Sequence, residues 1–214
     1  MISKLRGKIG FLQNVLAWPF IKLKISPNTI SVIGLILAII GVYFVTQRNW
    51  SLAFVFFLLA PAMDLIDGTV ARALSKKSNF GNYFETMIDK MVDFAMLGSF
   101  VLLFPVASVL AVGFSALSSY AKPRVALIIV ADNHDWPAIG EHADKLLIIL
   151  LVLLLASFGI TNLFGFNIIE LGLYLIALIS AIGTVQRIIY AKKLIKKAEK
   201  KGTLLPYIKK NKER

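Results

Sequence analysis

Five of the twelve acidic residues, Asp64, Asp67, Glu85, Asp89 and Asp93, fall inside two otherwise apolar stretches, 50–74 and 81–104. On an α-helix Asp64 and Asp67 are i,i+3 neighbours and Glu85, Asp89 and Asp93 follow at i, i+4 and i+8, so each set shares one face. A carboxylate at membrane depth costs several kcal/mol unless it is paired, hydrated or bound to metal, which makes such a cluster a functional hypothesis. Two such faces meeting form an oxygen-lined pocket. Hard divalent cations choose carboxylate oxygens, and with no histidine or cysteine nearby the pattern indicates Mg²⁺ or Mn²⁺ rather than zinc. A structural ion network with Arg72, Lys76, Lys77 and Lys90 is the first competing reading, although buried ion pairs stabilise poorly. A proton relay is the second. Gly68 and Gly81 allow close backbone approach by a phosphate, where glycines alone would mean only tight helix packing. Arg72, one turn beyond Asp67 and Gly68, adds an anion clamp. Together these residues point to a phosphorylated substrate bridging metal ions, and to metal-assisted phosphoryl transfer.

The elements that must carry these residues are membrane helices. The 214 residues are 57% hydrophobic and 17% charged, with a mean hydropathy of +0.75. That balance excludes a disordered chain, a fibrous repeat and almost any water-soluble domain. The absence of cysteine removes disulfide scaffolds, thiolate metal sites and cysteine nucleophiles. Uncharged runs at 25–47, 94–121 and 146–169 reach bilayer length. With three further runs that carry a few charges, and with Pro105 dividing the second run, the sequence predicts six spans near 29–46, 50–74, 81–104, 106–130, 142–160 and 168–190. The expected fold is all-α, one polytopic membrane domain over residues 1–214. Six spans place both ends on one side. That side collects the N-terminal segment, Arg72, Lys76 and Lys77, Lys122 and Arg124, and the C-terminal tail, whereas the other receives only Arg48, so the basic side is expected to be cytoplasmic.

Of the net charge of +12, residues 1–24 supply five basic residues and no acid. Residues 192–214 supply ten basic residues and two acids, so the two ends carry +13 and the remainder −1. Leu5, Ile9, Leu12, Leu16, Phe20 and Ile21 interleave with Lys4, Arg6, Lys8, Lys22 and Lys24, predicting an amphipathic interfacial helix over 1–25. A signal peptide would need an uninterrupted apolar stretch and a small-residue cleavage site. Asn28 or Thr29 is a suitable N-cap for the first span. The tail 192–214 reads as a basic collar facing anionic lipid. Without aromatic residues interleaved among its lysines, it is not expected to bind nucleic acid.

The run Asp64-Leu65-Ile66-Asp67-Gly68-Thr69-Val70-Ala71-Arg72, followed by Gly81, Glu85 and Asp89, closely resembles the D-x2-D-G-x2-A-R-x8-G-x3-D-x3-D signature of the CDP-alcohol phosphotransferase family. Spacing is kept throughout, and Glu85 is the one departure from the eight fixed positions. The resemblance implies transfer of a phosphate-linked group, phosphatidyl or archaetidyl in type, from a CDP-activated lipid to an alcohol with release of CMP, within phospholipid biosynthesis. By position it implies that Asp64, Asp67, Glu85 and Asp89 hold one or two divalent ions. Asp64, Asp67, Gly68, Ala71, Arg72 and Gly81 would form the nucleotide site, and Asp89 would deprotonate the acceptor hydroxyl. It also implies a homodimer. Ser119, Lys122 and Arg124, in the pattern S-x2-K-x-R, with Arg187 in the last span, resemble the acceptor site of members that use inositol phosphate; glycerol 3-phosphate is the runner-up acceptor, and a CDP-polyol an alternative donor. Read without the resemblance, these cations are positive-inside anchors. The polar segment Asp132-Asn133-His134-Asp135-Trp136-Pro137 either covers the acceptor pocket or is only a loop. Asp144 and Lys145 read as a local charge pair. A cation or proton transporter is the rival from another class, but it has no use for Arg72 and Gly81 and needs its acids at the midplane, not near the basic-side ends.

Overall fold

The computed structural model describes residues 13–76, 78–130, 136 and 138–205. Among them are seven helices: α1 (13–22), α2 (Pro27–Thr46), α3 (Trp50–Ala73), α4 (Asn79–Gly98), α5 (Pro105–Ala126), α6 (His142–Ser157) and α7 (Ile168–Lys201). A hairpin of two-residue strands, β1 (Asn162–Leu163) and β2 (Phe166–Asn167), precedes α7. Its turn needs positive φ at Phe164 and Gly165. The chain forms two compact units, Met1–Leu102 with Leu153–Gly159 and Leu103–Val152 with Ile160–Arg214. The fold fits an all-α membrane protein. Three helices, α2, α3 and α7, are long and apolar enough to cross a bilayer.

In the first unit, local sequence fixes where each helix starts. Ser26, rather than Asn28 or Thr29, caps α2: its hydroxyl accepts the Thr29 N–H at 3.2 Å, with Pro27 pre-set for the first turn. Asn49 caps α3 through the Leu52 N–H, and Ser78 caps α4 through the Gly81 N–H at 2.9 Å. Along α2 the buried positions Ser31, Gly34, Ala38, Gly41 and Val45 form one narrow stripe. A Cβ on Gly34 would lie 3.0 Å from the Ala60 carbonyl oxygen, so the missing side chain is what lets α2 close on α3. α1 docks Ala17 against Ile30, Ile66 and Val70. Trp18 remains exposed, with Lys22 Nζ 5.0 Å above its ring. The expected interfacial helix therefore has a helical counterpart at 13–22, while residues 1–12 lie outside the described residues.

Six helices stand over the six apolar stretches, but three ends differ by more than three residues, that of α5 among them, which stops at Ala126 rather than 130. α4 stops at Gly98 rather than 104, and Phe104, which precedes Pro105 and is held out of the helical region at φ −136° and ψ 69°, leads into a helix that starts at that proline. α7 continues past 190 to Lys201 and ends on Gly202 at φ 67°. Residues 192–201 are thus not a loose tail. Ala191, Leu194, Ile195 and Ala198 form an apolar stripe that packs on Val125, Ile129 and Trp136 within the second unit, which leaves Lys192, Lys193, Lys196, Lys197, Lys200 and Lys201 outward. The Leu205 N–H donates to the Ile128 carbonyl and closes this cluster.

Candidate functional site

In the first unit α3 presents Asp64 and Asp67 one turn apart, and α4 presents Glu85 opposite them. Their carboxylate oxygens lie within 4.8 Å of one another. Asp67 is 2% exposed. Its Oδ2 accepts a short hydrogen bond from the Ser31 hydroxyl of α2, and its Oδ1 is buried with no hydrogen-bond partner among the described residues. A buried carboxylate oxygen without a donor is costly, and three carboxylates this close repel one another. A hard divalent cation resolves both, so the donor set fits Mg²⁺ or Mn²⁺. Asp89, the fourth expected ligand, follows one turn after Glu85, half-buried, and is not one of the converging three. Asp93 pairs with Lys90, whose Nζ lies 3.3 Å from its Oδ2.

Beside the carboxylates lies a cavity of about 350 Å³. Asp67, Gly68, Ala71 and Arg72 of α3 and Gly81 and Glu85 of α4 line it, whereas Asp64, which the resemblance also assigned to the nucleotide, is not among its lining residues. At Gly68 a Cβ would meet only Arg72 Nη1, at 3.6 Å, so helix packing does not demand glycine there; it leaves room on the cavity side. Gly81 answers to packing as well, since a Cβ would come 3.0 Å from Ser78 Oγ and 3.6 Å from Asn28 Oδ1. Arg72 is exposed and donates from Nη2 to Thr69 Oγ1 at 3.0 Å. Ser31, which donates to Asp67 and lines the cavity, is a residue of this site that sequence reasoning missed. Its signal is weak: a serine one turn past the Pro27-Asn28 that opens the first span.

The second unit brings cations and serines together differently from the pattern read in the sequence. Arg187 of α7 donates from Nη1 to the Ser118 carbonyl at 2.9 Å and, more closely, to the Ser118 hydroxyl. The partner is Ser118 rather than Ser119. Glu141 Oε1 sits 4.0 Å from Arg187 Nη2. Gly140, at φ +71°, lets the loop reach α7, where the Ile139 N–H donates to Gln186 Oε1 at 2.8 Å. Lys122 and Ser119 are half-buried on α5, while Arg124 is exposed and lies with Lys192 and Lys196 around an apolar groove. Lys145, which was read as the ion partner of Asp144, is 4% exposed and donates to Ser115 Oγ at 2.5 Å. Asp144 Oδ2 accepts the Glu141 N–H at the start of α6 instead. Trp136 is buried with its ring 5.2 Å from that of Tyr190, which makes it core rather than pocket cover. Asp132, Asn133, His134, Asp135 and Pro137 lie outside the described residues.

Residues 24–171 match the family model described as CDP-alcohol phosphatidyltransferase. The archaetidylinositol phosphate synthase of Pyrococcus horikoshii is 28% identical over 197 residues, spanning 90% of this chain and 97% of that protein. The phosphatidylinositol phosphate synthase of Streptomyces avermitilis is 24% identical over 182 residues, 77% of this chain and 71% of the other. Two crystal structures of Mycobacterium tuberculosis phosphatidylinositol phosphate synthase share the fold at 18% identity. The one with CDP-DAG bound superposes with a TM-score of 0.70, covering 84% of this chain and 92% of that one. The one in complex with manganese and citrate gives 0.68, with 84% and 88% covered. With well over half its length matched, and the signature residues gathered around one acidic cavity, this chain belongs to the CDP-alcohol phosphatidyltransferase family.

Proposed function

We propose that the protein transfers a phosphatidyl- or archaetidyl-type group from a CDP-activated lipid to inositol phosphate, with release of CMP. The observation that carries this reading is the convergence of Asp64, Asp67 and Glu85 beside a cavity lined by Gly68, Ala71, Arg72 and Gly81. Asp64, Asp67 and Glu85, with Asp89 as fourth ligand, would hold one or two ions. Bound there, Mg²⁺ or Mn²⁺ supplies charge neutralisation for a diphosphate and acidifies a hydroxyl. Ser31 fixes the orientation of Asp67 through its hydrogen bond. Gly68, Ala71 and Gly81 admit the nucleotide, and Arg72 neutralises its phosphate. Asp89 takes the acceptor hydroxyl proton as the oxygen attacks the lipid-side phosphorus and the bond from that phosphorus to the CMP oxygen breaks.

In the second unit the half-buried Arg187, with Ser119, Lys122 and Arg124, gives a phosphorylated acceptor cations that an uncharged alcohol would leave without a partner. The relatives named inositol phosphate synthases support that choice. The six apolar helices cross the cell membrane with both ends on the basic, cytoplasmic face, and two copies of the chain form a homodimer. Purified protein supplied with CDP-diacylglycerol or its archaeal ether counterpart, Mn²⁺ and inositol phosphate should release CMP. Glycerol 3-phosphate should compete poorly in the same tube. No CMP release with either acceptor, alongside cation flux in vesicles, would return the acids to the transporter reading.

A further inference from the structure

Between α5 and α7 the second unit holds a groove of about 510 Å³ whose apolar walls the proposed chemistry does not use. Leu117, Ala121 and Val125, spaced by one helical turn, form one wall, and Ile188, Ala191 and Ile195 form the other. Thr184 also faces it, but its hydroxyl donates to the Ser180 carbonyl at 2.8 Å and so offers the groove its methyl side. The trough is therefore apolar along its length. Arg124, Lys192 and Lys196 line it, and no acidic residue is among its described lining residues. The two lysines are held there by the helix itself, because Ala198 and its neighbours pin this stretch of α7 onto Val125, Ile129 and Trp136.

We propose that this groove binds one anionic phospholipid of the surrounding bilayer, with an acyl chain in the trough and its phosphate between Lys192 and Lys196. Carbon walls leading to fixed cations match an amphiphile with a single anionic head better than a free anion, which gains nothing from the walls, or a zwitterionic lipid, whose outer cation the lysines repel. The same helix carries an internal control. Lys193, Lys197, Lys200 and Lys201, with Lys196 shared at the border with the groove, form a lysine ridge whose lining includes no apolar residue.

Native mass spectrometry of the purified full chain in detergent, titrated with dioleoyl phosphatidylglycerol and with dioleoyl phosphatidylcholine, tests this. Wild type should retain one phosphatidylglycerol with a preference of about tenfold over phosphatidylcholine. Lys192→Gln with Lys196→Gln should bring that preference close to one, whereas Lys193→Gln with Lys197→Gln should keep it. Equal losses in both double variants would mean unspecific attraction to a basic helix and would overturn the proposal. Ala121→Phe, which fills the trough without changing charge, should also lose the retained lipid. Displacement of the lipid by millimolar inorganic phosphate would reduce the site to an anion site without an apolar part. A wild-type dimer that Ala121→Phe converts to monomer would assign the groove to a second copy of the chain. Thermal unfolding of each variant separates lost binding from lost folding, and a Lys192→Arg, Lys196→Arg protein should retain the preference if charge is what matters.

Discussion

The two polar regions of this protein are built on opposite plans. In the first unit, anions cluster: three carboxylates converge and one buried oxygen of Asp67 has no donor among the described residues. In the second, cations are already engaged, Arg187 with Ser118 and Glu141, and Lys145 with Ser115. The first arrangement is electrostatically incomplete and calls for a cation. The second is close to satisfied, so a ligand entering it must exchange hydrogen bonds rather than fill an unmet need. A metal site should accordingly fail abruptly when a ligand is altered, and an acceptor site should fail by degrees.

The largest effect is expected at Asp67. Replacing a buried carboxylate ligand by a neutral amide in Asp67→Asn removes charge where three acids meet and leaves the cavity shape intact. CMP release should fall by more than about a thousandfold, a barrier increase of roughly 4 kcal/mol. The protein should still insert and elute as wild type on size exclusion. Activity above a tenth of wild type would break the contrast between the two regions at its stronger end.

An intermediate effect is expected at Arg187. Its guanidinium makes two contacts to Ser118, so Arg187→Ala on the proposed reading removes one charge-assisted contact to the acceptor phosphate, worth roughly 1.5–3 kcal/mol. The KM for inositol phosphate should rise about ten- to a hundredfold with little change in the KM for the CDP donor. Arg187→Lys should recover only part of it, since an ammonium cannot reproduce the planar fork. An equal rise in both KM values would mean that Arg187 supports the fold of its unit rather than the acceptor.

The same contrast explains what could be read from the sequence. Asp64 to Asp89 lie within two consecutive helices, so helical periodicity alone brought Asp64, Asp67 and Glu85 to facing positions, and fixed spacing to Gly68, Ala71, Arg72 and Gly81 placed the cavity. Arg187 meets Ser118 across 69 positions of sequence, and no periodicity on one helix says which serine it will choose. Lys145 misled for a related reason. Adjacent to Asp144, it reads as a local pair, but consecutive helical residues point about 100° apart, which sends Asp144 to the helix start and Lys145 into the interior beside Ser115. Helix ends are similarly hidden from the sequence where a long-range feature accompanies them, as in α7, whose extension to Lys201 packs on Val125, Ile129 and Trp136. Where a proline acts locally, as at Pro105, the division between helices was legible.

The smallest effect is expected at Ser31, where the contrast can be sharpened. Ser31 touches no substrate on the proposed reading; it is a positioning residue whose hydroxyl binds Asp67 Oδ2 from a different helix. Ser31→Ala removes the hydroxyl donor from Asp67 Oδ2, so the carboxylate is freer to rotate and more dependent on a cation for neutralisation. Partners of metal ligands of this kind change metal affinity by roughly ten- to a hundredfold when removed. The site retains its three carboxylates, so the lower end is expected: about a tenfold rise in the Mn²⁺ concentration giving half-maximal CMP release, with the maximal rate at saturating Mn²⁺ within about threefold of wild type. A purely structural role would lower the maximal rate and the melting temperature together and leave the metal midpoint unmoved. In the second unit, Ser118→Ala is the matching experiment. Arg187 there keeps its bond to the Ser118 carbonyl, so its metal midpoint should stay at the wild-type value. A shift of the Mn²⁺ midpoint in Ser118→Ala as large as in Ser31→Ala would show that the two regions do not divide the work as their charges suggest.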